Sequence, residues 1–404
     1  MEESTPFHRS LRFGLLLTAL FCLCHLYRLT YDGFWIDEFH TLNAISGTFR
    51  ELIANRIGAG HIPTYFMLLQ AWGHAFGMSE WSLRLPSVLF AALAFFSFFM
   101  LTREFLLNSR AYLIALALFF FQPFLLWASH DARPYAPLTA ASVLAAHQLL
   151  VFVKSGKKRF LASYGLACIM GMSIHMIFLL QMAAHVAFTA FHHRGRLKAY
   201  LIAIVLPLAA LGPLVWLTAS RAKVYEPDVR LKFPVLSLMF RKPSVLVSTD
   251  FSSYLTTDSK LIENVPQGIS LAFFLWFVVE GFRRLRAARG RAADSREDDL
   301  LRFAFYWIGV PAFFLMMSQI FNNPKVEAAR YHLPSVGAAV VLAALGVVEA
   351  GRSRWGRIAG WAYYAFFACA LVLQLAWPGP GIREAVQSMR PQCQEGDGIV
   401  YCHS

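Results

Sequence analysis

The chain is divided by apolar runs of about 18–22 residues, the length a helix needs to cross roughly 30 Å of hydrocarbon. Eleven are counted, at 11–30, 82–102, 111–129, 136–153, 160–175, 176–191, 199–220, 268–282, 301–321, 331–350 and 358–377. Repetition of this kind leaves few folds open, because a backbone in lipid must satisfy its own hydrogen bonds and a helix does so within one segment. Composition agrees: 57% of the residues are hydrophobic and 15% charged, against about 45–50% and 25% in soluble domains. The expected class is all-α, a polytopic membrane protein of about eleven transmembrane helices. The formal net charge of +13 lies largely in short loops between runs. That is the pattern of membrane topology, so membrane lipids are expected partners and nucleic acid is not.

His8, Arg9 and Arg12 precede the first run and no small-x-small site follows Leu26, so the N-terminus reads as a retained signal anchor. One segment decides the sidedness of everything after it. His61–Phe76 is short for a crossing, and Gly60 and Pro63 break its start. It reads as an interfacial or re-entrant helix in the first external loop. The basic loops 103–110, 154–159, 192–198, 283–296 and 351–357 then share the N-terminal side, which the positive-inside rule places in the cytoplasm. Residues 1–377 form one transmembrane domain. Residues 378–404 form a short external tail, where a disulfide between Cys393 and Cys402 is left open. Cys22, Cys24, Cys168 and Cys369 lie within runs and read as packing residues.

This parity gathers a distinctive set on the external face. Tyr31-Asp32-Gly33-Phe34-Trp35-Ile36-Asp37-Glu38 opens the first polar loop. Arg84, Asp131, Arg133, Tyr135, Arg330 and Tyr331 stand at span mouths, with His61, His130 and His175 nearby. Ionisable groups at such positions are tolerated where they line a watery cavity. Arginine forks suit a lipid phosphate, and a carboxylate beside one can take a proton from an acceptor. Blander readings stand beside these. Asp37 and Glu38 also suit a solvated pair at a helix start, the arginines suit snorkelling anchors, Asp131 suits a simple pair with Arg133, and His175 suits a polar turn.

The series Trp35-Ile36-Asp37-Glu38, His61-Ile62-Pro63-Thr64-Tyr65, Leu83-Arg84-Leu85-Pro86-Ser87, Asp131-Ala132-Arg133-Pro134-Tyr135 and Ala329-Arg330-Tyr331-His332-Leu333-Pro334 resembles the ordered motifs of integral-membrane GT-C glycosyltransferases. The likeness is greatest to the bacterial branch of protein O-mannosyltransferases and lipid A aminoarabinose transferases. It implies a polyprenyl-phosphate-sugar donor and a lipid, glycan or protein acceptor met at the outer face of a bacterial inner membrane. It also implies catalytic roles for Asp37 and Glu38. Substrate contacts fall to His61, Arg84, Asp131, Arg133, Tyr135, Arg330 and Tyr331. Many relatives have Pro-Pro where this chain has Ile62-Pro63, and Glu where it has Asp131. No metal ligands are assigned, and the cofactor is unknown, a divalent metal ion being left open.

The alternatives are a transporter or flippase of a lipid-linked glycan and a non-catalytic lipid-binding subunit. The first predicts inverted repeats and charges near the bilayer middle, neither of which is visible. Residues 221–267, the longest polar stretch, are expected to be a loop that moves on donor binding.

Overall fold

The computed structural model describes residues 6–31, 33–221, 243–248, 260–288, 296–320 and 329–376. Among them there are helices and turns and no strands. The long apolar helices are α1 (Leu11–Leu26), α5 (Glu80–Phe105), α8 (Tyr135–Ser155), α9 (Lys158–Ile174), α10 (Phe178–His192), α11 (Arg194–Arg221), α12 (Lys260–Ala288), α13 (Arg296–Ile320), α14 (Val336–Ala350) and α15 (Arg354–Ala376). The run at 111–129 is two helices, α6 (Ser109–Phe120) and α7 (Pro123–Ser129), bent by 41°. Pro123 starts the second piece, where its missing N–H costs nothing. Among the described residues seven helices are long and apolar enough to cross a membrane, or eight if the bent pair is taken as one span. The shorter α1 and α10 have 16 and 15 residues, so the expected eleven crossings are not matched by length.

The first polar loop is more ordered than its sequence suggested. Helices α2 (Ile36–Ile45) and α3 (Phe49–Gly58) precede the expected interfacial helix, here α4 (Thr64–Phe76). The Thr48 hydroxyl and the Glu51 carboxylate cap α3 reciprocally. Gln70 ties α4 to the turn before it by donating to the carbonyls of Ile45 (3.0 Å) and Gly47 (2.8 Å). Gly77, at φ +91°, ends α4 in a conformation that side chains resist.

Helices α8 and α14 are the most enclosed, whereas α11, α12 and α15 turn most of their apolar surface outward. α8 packs on α5, α9 and the turn Ala329–Ser335, and α14 packs on α12, α6 and α13. That turn is fastened from three sides. Trp307 Nε1 donates to Ser142 Oγ (3.2 Å) and the Pro334 carbonyl (3.1 Å), Ser335 Oγ donates to the Trp307 carbonyl (2.7 Å), and Gln181 donates to Ser335 Oγ (3.0 Å).

Contacts link the N-terminus to the basic loop after α5 and join other basic loops to one another. Arg9 donates to the carbonyls of Arg103 (3.2 Å) and Leu106 (2.8 Å), and Tyr112 donates to that of His8 (2.7 Å). Lys154 meets Asp299 at 2.7 Å, His193 stands 3.5 Å from the same carboxylate, and Arg284 pairs with Glu297. The N-terminus and four basic regions therefore share one end. The stretch 221–267 differs from the loop read in the sequence. Lys260–Gln267 already belongs to α12, and residues 243–248 are buried. The Val247 carbonyl accepts from Tyr363 (3.0 Å), and Ser248 bonds Ser270 (2.7 Å). The remainder of that stretch, the tail 378–404 and the Cys393–Cys402 pair lie outside the described residues.

Candidate active site

Asp37 and Glu38 occupy the first turn of α2. Neighbours on a helix point about 100° apart, and here the two carboxylates have different surroundings. Glu38 is fully buried. Its Oε1 accepts from Arg84 Nε (2.8 Å) and the Ala132 N–H (2.9 Å), and its Oε2 from Arg84 Nη2 (2.6 Å) and the Trp35 N–H (3.2 Å). Arg84 spends its other donors on the carbonyls of Leu29 (2.8 Å) and Gly33 (3.0 Å). The pair fastens the start of α2 to α5 and to the 130–134 turn. Every oxygen is engaged within the protein, so Glu38 and Arg84 are placed to hold the loop rather than to meet a ligand.

Asp37 is the open carboxylate, with 19% of its side chain exposed. Its Oδ2 lies 2.8 Å from Arg330 Nη1 and 3.9 Å from Arg133 Nη2. Arg330 stands between the rings of Tyr135 (5.6 Å) and Tyr331 (6.0 Å), each close enough for a cation–π contact. Arg133 also reaches the Asp37 carbonyl (3.5 Å) and Thr41 Oγ1 (3.4 Å). The Nε atoms of both Arg133 and Arg330 are buried without a hydrogen-bond acceptor among the described residues.

Asp131 does not bond Arg133 directly. Its Oδ1 accepts from Trp35 Nε1 at 3.0 Å, while Oδ2 is buried without a partner. Burial, and next the charge of Glu38, raise its carboxyl well above the ordinary range, against the pull of Arg133. Both effects favour the protonated form of this acid. His130 donates from Nε2 to the His25 carbonyl (2.8 Å) and so serves the fold.

His61 lies at the rim, its ring 6.0 Å from that of Phe66. On the same ring stand Arg133 (5.8 Å) and Arg56 (5.0 Å). Nothing in the pattern of residues around Arg56 singles it out. It is 6% exposed, and its one hydrogen-bond acceptor among the described residues is the side chain of its neighbour Asn55. Burial, and then Arg133, pull its guanidinium down to about 10. Two guanidinium groups, of Arg133 and Arg330, thus flank one open carboxylate, Asp37, and Arg56 shares the Phe66 ring with Arg133. Buried positive charge in excess calls for an anion.

Among the described residues no three His, Cys, Asp or Glu side chains are grouped to hold a metal ion. Glu38 is closed by Arg84 and Asp37 is bound by Arg330.

No protein-family model matches the chain, and no curated protein matches it by sequence. Solved structures do. ArnT from Cupriavidus metallidurans, an aminoarabinose transferase of GT-C type, superposes in its apo state with a TM-score of 0.56 at 15% identity. The match covers 89% of this chain and 63% of that one. The same protein bound to undecaprenyl phosphate gives a TM-score of 0.55 at 16% identity, over 89% and 64% of the two chains. The fold is therefore GT-C-like, and the chain spans just under two thirds of the length of these structures.

Proposed function

We propose that the protein is a membrane glycosyltransferase, moving a sugar from a polyprenyl-phosphate-linked donor to a lipid, glycan or protein acceptor. One observation carries the reading: Asp37, the open carboxylate, is held between Arg133 and Arg330 at the mouth of a GT-C-like bundle. The undecaprenyl phosphate in the neighbouring structure supports a lipid phosphate as the anion that this excess of guanidinium calls for. The positive-inside rule assigns the basic end to the cytoplasm, which puts the site on the external face.

In this reading the donor's phosphate takes Arg330 from Asp37. Arg330 and Arg133 then face the phosphate oxygens, and Asp37 is released as a base. The acceptor's oxygen attacks the anomeric carbon and its proton passes to Asp37. The bond from that carbon to the phosphate oxygen breaks, and its electron pair leaves with the lipid phosphate. The guanidinium groups stabilise the second negative charge as it develops. The Glu38–Arg84 pair maintains the position of Asp37 throughout.

The test is sugar transfer from a polyprenyl-phosphate-sugar donor in membranes carrying wild type or Asp37→Asn at equal abundance. Loss of a general base is expected to cost about 10²–10⁴-fold in rate. Transfer near the wild-type rate would rule Asp37 out as the base.

A further inference from the structure

His175 stands at the break between α9 and α10 and is 9% exposed. Its backbone closes one helix and begins the next: its N–H donates to the Gly171 carbonyl (3.0 Å), and its carbonyl accepts from the Phe178 N–H (3.1 Å). Its Nδ1 accepts from the Ile177 N–H at 3.2 Å. A ring nitrogen that accepts carries no proton, so the proton of the neutral ring is on Nε2. The ring is neutral because of its position. Burial, followed by the nearby charges of Arg133 and Arg330, pushes it down to about 4.

The imidazole lies 5.7 Å from the ring of Tyr331, which itself flanks Arg330. The Ile177 contact is its one side-chain hydrogen bond among the described residues. Nε2–H has no acceptor among the described residues and is not sealed from solvent, so it can be reached from outside. Arg133 Nε and Arg330 Nε, whose charges bear on the same imidazole, also have no acceptor among the described residues, but they are enclosed. One reachable N–H beside two such arginines suits oxygens that come from outside the chain.

We propose that His175, through Nε2–H, binds the phosphate of the lipid-linked donor beside Arg330 and Arg133; this rests on the sugar-transfer reading above. A neutral donor offers what a further cation does not. It adds a directed hydrogen bond to the phosphate without adding charge to a site that already has two guanidinium groups at Asp37. After transfer the lipid phosphate gains negative charge, and each additional cation would delay its release.

Two substitutions separate this role from a structural one. In His175→Gln the amide nitrogen replaces Nε2–H, but the acceptor for the Ile177 N–H is lost. In His175→Asn the amide oxygen replaces Nδ1 and preserves the turn, but the donor is lost. The measurement is binding of undecaprenyl phosphate to the full-length protein in nanodiscs. His175→Gln is expected to bind within about threefold of wild type, and His175→Asn about tenfold or more weakly, the worth of one hydrogen bond to a charged group. The reverse order would make His175 a turn residue and overturn the proposal, as would two variants that match wild type or are weakened alike. A second measurement works on the unaltered protein. The nitrogen-15 resonance of His175 Nε2–H should move when undecaprenyl phosphate is added, and an unmoved resonance overturns the proposal. Failure of wild type itself to bind would overturn the sugar-transfer reading and this inference together, whereas binding by wild type with no loss in His175→Asn removes this inference alone.

Discussion

Arg330 Nη1 lies 2.8 Å from Asp37 Oδ2, across 293 residues of sequence. The contact joins the first turn of α2 to the turn that leads into α14. It also leaves the open carboxylate of the site in the grip of a guanidinium that sits between two tyrosine rings. A lipid phosphate would compete with Asp37 for the same fork. Binding of the donor and release of the base thus become one event.

That coupling makes Arg330 sensitive to shape as well as charge. Arg330→Lys preserves the cation but removes the planar fork and its parallel N–H groups. Its rate of sugar transfer is expected to fall by about 10²-fold, the cost of removing one preorganised donor from a charge-developing site. Initial rates at saturating donor measure it. A lysine variant within a few-fold of wild type would mean that Arg330 acts as a point charge.

The Glu38–Arg84 pair is predicted to act on stability first. Both side chains are almost wholly enclosed. Breaking a buried pair by removing one partner costs about 3–5 kcal/mol, whereas replacing both with apolar groups of similar size can be neutral. Arg84→Met should therefore lower the midpoint of thermal unfolding in detergent sharply. Adding Glu38→Leu to Arg84→Met should recover part of the loss, although the N–H groups of Ala132 and Trp35 would still lack their acceptor. Single and double variants of equal stability would mean the two are not coupled.

Much of this is legible in the sequence. The long runs give the helical class, and the motif series names Asp37, Arg133 and Arg330, which the fold brings together. What could not be read was the division of labour within an adjacent pair. Asp37 and Glu38 look equivalent in a row of letters, and only the 100° step of a helix sends one into the Arg84 clamp. The same limit hid the partner of Asp131. Its neighbour Arg133 was the obvious candidate, yet the Trp35 indole, from another loop, takes the bond. Helices α2 and α3 were missed because each has only ten residues, too few for a helical period to stand out from a polar loop. Arg56 lies within α3, where an arginine reads as a solvated residue.

Two histidines outside the helices give the fold an acid limit. His130 and His175 are each pushed from 6.5 to about 4, chiefly by burial. In the unfolded chain both take a proton below about 6.5. In the folded chain they resist it until about 4. The unfolded state binds more protons within that interval, so stability is full above it and declines as pH falls through it. The unfolding midpoint should drop steadily from about pH 6.5 to about 4. His130→Gln, which retains a donor for the His25 carbonyl, should make that slope shallower. An unchanged slope would assign the acid limit to other groups.

The last prediction concerns Arg56 and runs against stability. This buried guanidinium shares the Phe66 ring with Arg133 and has, among the described residues, only the Asn55 side chain as acceptor. In the empty protein its charge is a cost, because repulsion and lost hydration outweigh a cation–π contact of about 0.5–1 kcal/mol. With an anionic ligand present the same charge becomes an attraction. Arg56→Gln should therefore raise the unfolding midpoint of the ligand-free protein while reducing the additional stabilisation gained from undecaprenyl phosphate. Binding is expected to weaken by about tenfold, as for one charge-assisted contact. Such opposition between stability and binding is the mark of a residue placed for a ligand. Thermal unfolding with and without the lipid reads both effects from one pair of proteins. A variant that unfolds earlier in both conditions would instead make Arg56 a packing residue of the α3–α4 platform.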